Sequence, residues 1–374
     1  MINIIILLGT IKLSKSSAIY FLLIFTPIAI VLEFVNADHV ALFVVTAFAL
    51  IPLAKLIGDS TEHLSTHYGT TLGSLLNVTF GNAAELIIAA VAINAGLLDL
   101  VKASITGAIL GNILLIFGLS ILVGGFRYKE QFFNRENAGF QSSMLFLAII
   151  GLSVPTILFS TVLKPVDVES QIKIQILSDV LAFLLLAVYI AGIIFTFFTH
   201  KHLFVQVHSE EEDYDKGQNH RQWSKKKSFL LLGFSMVGVI AISEILVGSV
   251  EATTKQFGFG ELFVGAIIVG IVGNAAEHSS AIMLARKGKI DLSIGIAAGS
   301  GTQIAIFVVP ILVIIGIIIG QPFTLVFTVF ELAVVFLAAI ILNLIAHDGK
   351  SNWFEGVMLT SVYIIIAIGF FFID

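Results

Sequence analysis

GNAAE at residues 81–85 returns as GNAAE at residues 273–277, 192 positions later. In the first copy, Glu85 is the only charged residue in the 28 positions from Thr71 to Leu98. A carboxylate at the centre of a bilayer costs about 2.5–3.5 kcal/mol on insertion scales, so one placed in a greasy run is a functional residue by default. The question is why the chain carries the same acid, behind the same Gly-Asn pair, twice.

The surroundings of the motif set the class. The chain has 374 residues, 57% of them hydrophobic and 12% charged, with a mean hydropathy of +1.03. Soluble domains carry about 25% charged residues. This is an all-α polytopic membrane protein whose first partner is the lipid bilayer. The net charge of −5 resides in loops, and no basic patch marks a nucleic-acid binder. With no cysteine there is no disulfide framework and no thiolate metal site. Residues 4–11 are apolar, but Lys12 and Lys15 follow without a small-residue cleavage site, so the first span is read as uncleaved.

A helix needs about 20 apolar residues to cross the hydrocarbon core. The sequence predicts about 11 such spans: 18–36, 39–57, 72–97, 102–125, 138–161, 176–199, 228–250, 260–285, 291–319, 323–345 and 355–373. The uncharged run from Leu292 to Phe330 is split at Gly320-Gln321-Pro322, a turn signal. With the N-terminus inside, 16 Lys and Arg fall in inner segments and 4 in outer ones. That puts the N-terminus in the cytoplasm and the C-terminus outside. The expected organisation is residues 1–37 with an isolated first helix, a five-helix repeat over 38–199, a linker over 200–227 and a second five-helix repeat over 228–374. Five is odd, so the second repeat runs inverted, as in many transporters. The linker contains HSEEEDYDK at 208–216, either a solvated connector or an acidic cation-sensing helix; its acids lack EF-hand spacing.

The repeat extends past the motif. Glu62 precedes Glu85 by 23 residues, and Glu251 precedes Glu277 by 26. Asn112 follows Glu85 by 27, and Gln303 follows Glu277 by 26. Glu244 lies one heptad before Glu251, but its counterpart is Lys55, so symmetry fails there. Asn82 and Asn274 stand three residues before their glutamates and are expected on the same helix face. They supply ion ligands, or hydrogen bonds that hold helices together. Neither motif holds a Lys or Arg, leaving protons and cations to neutralise the acids. Two carboxylates, amide oxygens and water supply the 6–8 oxygens that Ca²⁺ prefers, and the shortage of imidazole and thiolate disfavours zinc and copper. Two protons or one Ca²⁺ give the site the same charge, so competition between them is a coupling mechanism. No HExxH motif supports a metal hydrolase, and no filter sequence supports a channel.

With GNAAEL at 81–86 and GNAAEH at 273–278, the chain resembles the Ca²⁺/H⁺ exchangers, the CAX branch of the cation/Ca²⁺ exchanger superfamily. The resemblance covers nearly the whole chain. It implies a secondary antiporter, not an enzyme, with no cofactor, in a prokaryotic plasma membrane, or in a vacuolar membrane if the source is eukaryotic. By position, Glu85 and Glu277 look like the central Ca²⁺/H⁺ carboxylates, and Asn82 and Asn274 like their supporting ligands. Glu62 and Glu251 resemble the acids of the two approaches, with Glu244 as a further outer acid. Ser300 and Gln303 look like polar lining, and His278 after the second glutamate is typical of the branch. The alternative is a Na⁺-coupled or Mn²⁺-preferring exchanger of the same fold. A homo-oligomer is left open, and Glu331 has no account at this stage.

Overall fold

The computed structural model describes residues 15–68, 70–163, 168–200, 203 and 223–373. The N-terminal run 4–11 and the acidic run 208–216 lie outside the described residues. Within them the elements in order are α1 (Ile19–Phe34), α2 (His39–Ser65), and α3 in two halves, α3a (Thr70–Gly81) and α3b (Ala83–Asn94). Then come α4 (Leu98–Gly125), α5 (Arg135–Val162), α6 (Val168–Thr199), α7 (Lys225–Phe257), α8 (Glu261–Arg286), α9 (Ile290–Ile319), α10 (Val329–Ala346) and α11 (Trp353–Phe371). Ten of these are long and apolar enough to cross a membrane, and α1 is shorter. Yet residues Lys15–Ile24 wind as a 3-10 helix before Phe25–Phe34 turns α-helical. At about 2.0 and 1.5 Å per residue the two pieces reach about 35 Å, enough for the hydrocarbon core.

Several helices outrun their apolar stretches. The spans expected at 39–57, 176–199 and 228–250 are parts of α2, α6 and α7, which are longer. Their extra turns carry i,i+4 ion pairs that keep a charged stretch helical: Lys55–Asp59 at 3.0 Å, Lys173–Glu169 at 2.6 Å and Lys255–Glu251 at 2.6 Å. The span expected from 323 starts instead at Val329. Before it the chain is extended, and Phe323, Leu325 and Phe327 point inward with the period of two that an extended chain imposes. Two buried hydroxyls replace the missing helical partners: Leu325 N donates to Ser178 Oγ (3.0 Å) and Phe327 N to Thr156 Oγ1 (2.9 Å). Irregular backbone at this depth survives because protein groups satisfy it.

This start also accounts for Glu331. Its carboxylate accepts from Thr328 N and Thr328 Oγ1, both at 2.8 Å, while its own N donates to Thr328 Oγ1 at 3.2 Å. Thr106 Oγ1 of α4 donates to the second oxygen at 3.3 Å. Glu331 is the N3 acid of a capping box.

The loops confirm the parity of the helix count. In the connection from α4 to α5, β1 (Gln131–Phe132) pairs antiparallel with β2 (Lys350–Ser351) in the connection from α10 to α11. Asn134 N donates to Asp291 at the start of α9, and Gly288, just before α9, abuts Tyr128. These three connections therefore lie at one end of the bundle; Arg127, Lys129, Lys287, Lys289 and Lys350 sit in them, and Arg286 closes α8 beside them. His67, just past α2, meets Trp223, just before α7, through Nε2 and the backbone oxygen at 2.8 Å. We refer to this as the basic end.

At the centre α4 crosses α8 with almost no side chain between them. A Cβ on Gly107 would fall 1.8 Å from the Ala266 oxygen, and one on Gly270 would fall 2.8 Å from the Gly107 carbonyl carbon. Small residues let the two backbones touch.

Candidate cation site

Identical pentapeptides adopt different backbones in the two halves. In the first, the helix breaks at Asn82 (φ −90°, ψ 18°), between α3a and α3b. In the second, α8 runs unbroken through Asn274, and its irregularity is a wide π turn upstream, Val264–Val269. Asn274 and Glu277 thus lie in one continuous helix, whereas Asn82 stands at the break just before the helix that carries Glu85. The side chains give the reason. Asn274 Nδ2 donates to Gly270 O at 3.0 Å, inside its own helix. Asn82 makes no cap for α3b, because both ends of its amide reach across to α9. Its Nδ2 donates to Gln303 Oε1 (2.8 Å), and its Oδ1 accepts from Ser300 Oγ (3.3 Å).

Asn112 completes this polar belt. It sits in a π turn of α4, Gly111–Ile116, and is fully buried. Its Nδ2 donates to Asn274 Oδ1 and to Ser300 Oγ, each at 3.2 Å. The belt thus links α3, α4, α8 and α9 and joins the two repeats. Asn82, Asn112, Asn274 and Gln303, singled out by spacing, meet in one network with Ser300, which the family resemblance brought in.

The glutamates flank it reciprocally. A Cβ on Gly273 would lie 3.6 Å from Glu85 Oε1, and one on Gly81 would lie 3.7 Å from Glu277 Oε1. Each carboxylate leans over the glycine of the other motif, so the two acids face each other across the pseudo-twofold axis. A Cβ at either glycine would stand in ordinary van der Waals contact with the opposite acid. Buried Glu85 Oε2, Glu277 Oε2 and Asn112 Oδ1 have no hydrogen-bond partner among the described residues. Buried polar atoms in native proteins are normally satisfied, so three orphaned oxygens in one place call for a donor or a cation. A cavity of about 20 Å³, with room for one water, lies against Glu85 and is also lined by Ser104, Gly270, Gly273 and Asn274. Ser104 was not among the sequence-derived residues; no repeat partner or polar run distinguishes it. His278 is buried beside Glu277 near Gly111, and its Nε2 has no partner among the described residues.

The acids expected to line the approaches stand apart from this centre. Glu244 and Glu251 line a cavity of about 680 Å³ with Asn94, Ile87 and Ile240, between α3b, α7 and α9. Glu251 is exposed and paired with Lys255. Glu62 is exposed near the basic end of α2. The structure therefore gathers Glu85, Glu277 and the polar belt, and leaves Glu62, Glu244 and Glu251 on the flanks.

Fold and site together define an inverted-repeat membrane transporter. The sodium/calcium exchanger protein family matches residues 39–200 and 227–372, one match per five-helix set, and the chain belongs to that family. It is 41% identical over 368 residues to the Ca²⁺/H⁺ antiporter of Aphanothece halophytica, covering 96% of this chain and 98% of the relative. It is 41% identical over 360 residues to the Ca²⁺/H⁺ antiporter ChaA of Bacillus subtilis, covering 94% and 99%. Among solved structures, native YfkE superposes with a TM-score of 0.80 at 38% identity, covering 95% of this chain and all of that one.

Proposed function

We propose that the protein is a secondary antiporter that exchanges Ca²⁺ for H⁺ across a membrane by alternating access. The observation that carries this is the facing pair Glu85 and Glu277, each with a buried unpartnered oxygen, at the crossing of two inverted repeats. Four carboxylate oxygens, Asn112 Oδ1 and one or two waters come within the 6–8 oxygens of a Ca²⁺ shell. Asn82 and Asn274 hold the frame through the belt and add amide oxygens as the ion settles. Ser300 and Gln303 position Asn82, and Asn112 ties Asn274 to Ser300. His278 packs behind Glu277 and supplies a polar nitrogen on the way out.

Coupling follows from shared oxygens. A proton on either carboxylate removes a Ca²⁺ ligand, and Ca²⁺ bound to both excludes protons. One Ca²⁺ and two protons leave the site with the same charge, so each load crosses the apolar bundle at similar cost. The basic end is cytoplasmic by the positive-inside rule, which puts the N-terminus inside and the C-terminus outside. Glu244 and Glu251 then concentrate cations at the outer approach, and Glu62 serves the inner one. In alternating access, α2 and α7, which pack along each other, tilt against the remaining helices and expose the centre to each face in turn.

The test is ⁴⁵Ca²⁺ uptake into proteoliposomes under an imposed pH gradient, with Na⁺ and Mn²⁺ arms. Uptake driven by the proton gradient in Na⁺-free buffer supports the proposal. Uptake that requires a Na⁺ gradient assigns the coupling ion to Na⁺, and Mn²⁺ outcompeting Ca²⁺ at equal concentration reassigns the cargo.

A further inference from the structure

The repeat pairs α2 with α7. Matching Glu62 to Glu251 also matches Asp59 to Gly248, Lys55 to Glu244 and Ile51 to Ile240. On α7 this face is open: Ile240, Glu244, Gly248 and Glu251 are exposed and line the 680 Å³ cavity. On α2 most of the same face is covered. Lys55 is only 8% exposed, Ile51 and Asp59 are half-buried, and Glu62 alone is exposed.

Part of that cover is α1, the one helix with no mate in the other repeat. Its Tyr20 hydroxyl donates to Asp59 Oδ2. Lys55 Nζ donates to Asp59 Oδ1 at 3.0 Å and lies 5.9 Å from the Tyr20 ring centroid. Both oxygens of Asp59 are thereby engaged, and a fixed ammonium stands where α7 presents Glu244. Among the described residues, Tyr20 from α1 and Lys55 from α2 bond Asp59, and Glu62 of α2 acts on Tyr20.

We propose that α1 is a latch: Tyr20 and the Lys55–Asp59 pair close, on α2, the acid-lined approach that α7 holds open. Releasing the Tyr20 bond uncovers Asp59 Oδ2, three residues before Glu62 on the same helix face, while Lys55 still holds Oδ1. The latch rests on the reading of Glu244 and Glu251 as approach acids, and it makes the non-repeated helix the source of asymmetry between the two ends.

The natural chain has no cysteine, so a single reporter thiol is unambiguous. Gly58→Cys reports on α2 and Gly248→Cys on α7, and a Cβ at either position meets nothing within 4 Å. Each variant is placed in lipid nanodiscs, where both faces are accessible, and treated with a cationic, membrane-impermeant methanethiosulfonate. Gly248→Cys is expected to react fast with or without Tyr20→Phe. Gly58→Cys is expected to react slowly, and about tenfold faster once Tyr20→Phe removes one hydrogen bond. Tyr20→Phe keeps the ring, and an unchanged melting temperature together with an unchanged Gly248→Cys rate certifies the fold. Equal rates at Gly58→Cys and Gly248→Cys in the Tyr20 background overturn the latch, as does a Gly58→Cys rate that Tyr20→Phe leaves unmoved. A protected Gly248→Cys is a different failure, since it removes the open approach on α7 from which the latch is argued.

Discussion

Gly107→Ala adds one methyl group where the backbones of α4 and α8 touch. The new Cβ would sit 1.8 Å from the Ala266 oxygen, whereas real Cβ contacts stay above 3.0 Å, so α4 and α8 must part by about 1.2 Å there. The obstacle is backbone, which no rotamer can clear. Asn112 lies five residues further along α4 and spans to Asn274 on α8 with a 3.2 Å hydrogen bond. Separation on that scale stretches the bond to more than 4 Å, outside hydrogen-bond range. Overpacking of this kind costs about 1–3 kcal/mol. A misplacement of about 1 Å at a site built on geometry costs about a hundredfold in rate. The assay is initial ⁴⁵Ca²⁺ uptake per reconstituted molecule, with melting temperature measured alongside. The control is Gly295→Ala in α9, where a Cβ meets nothing within 4 Å. Uptake should fall by about a hundredfold in Gly107→Ala and stay near wild type in Gly295→Ala. Wild-type uptake by Gly107→Ala would refute the claim that this crossing sets the geometry of the site.

Asn112→Ala removes the donor shared by Asn274 and Ser300 and leaves two buried acceptors unpaired; it should destabilise the protein by about 1–3 kcal/mol, read as a lower melting temperature, and should weaken Ca²⁺ binding as well. Thr328→Ala strips the capping box from α10 and should cost about 0.5–2 kcal/mol while leaving the apparent affinity for Ca²⁺ unchanged, since Glu331 and Thr328 take no part in the central site. Because protons and Ca²⁺ occupy the same oxygens, acidification should weaken Ca²⁺ binding and alkalinisation strengthen it. Where both carboxylates are protonated in the free protein, the apparent dissociation constant should change by about a hundredfold per pH unit in titration calorimetry; a pH-independent constant across pH 5–9 would contradict shared occupancy.

The centre of the molecule was legible in the sequence because polar residues in apolar spans are few and each needs a reason. Glu85 and Glu277 identified themselves by repetition, Asn112 and Gln303 followed from the interval to each motif, and Ser300 came only with the family resemblance. The backbone around the motif was not legible. Two identical pentapeptides cannot announce that one breaks its helix and the other does not. That difference is decided by partners on α9, which reach Asn82 and not Asn274. The start of α10 was misplaced for a related reason. FTLVF reads as a greasy helix, and the hydroxyls of Thr156 and Ser178, more than 140 residues upstream, satisfy two of its backbone N–H groups in a non-helical segment. Lys55 and Asp59 were visible as charges within or beside a span, but their meaning depends on Tyr20, which belongs to a helix outside the repeat.

The central claim is that Glu85 and Glu277 hold either one Ca²⁺ or two protons. The most direct measurement is the number of protons released into weakly buffered solution as Ca²⁺ is added to the purified protein at mildly acid pH. The account predicts a release approaching two per bound Ca²⁺ in the wild type, and neither binding nor release in Glu85→Gln or Glu277→Gln. Ca²⁺ binding without proton release, or release that persists in both variants, would contradict it.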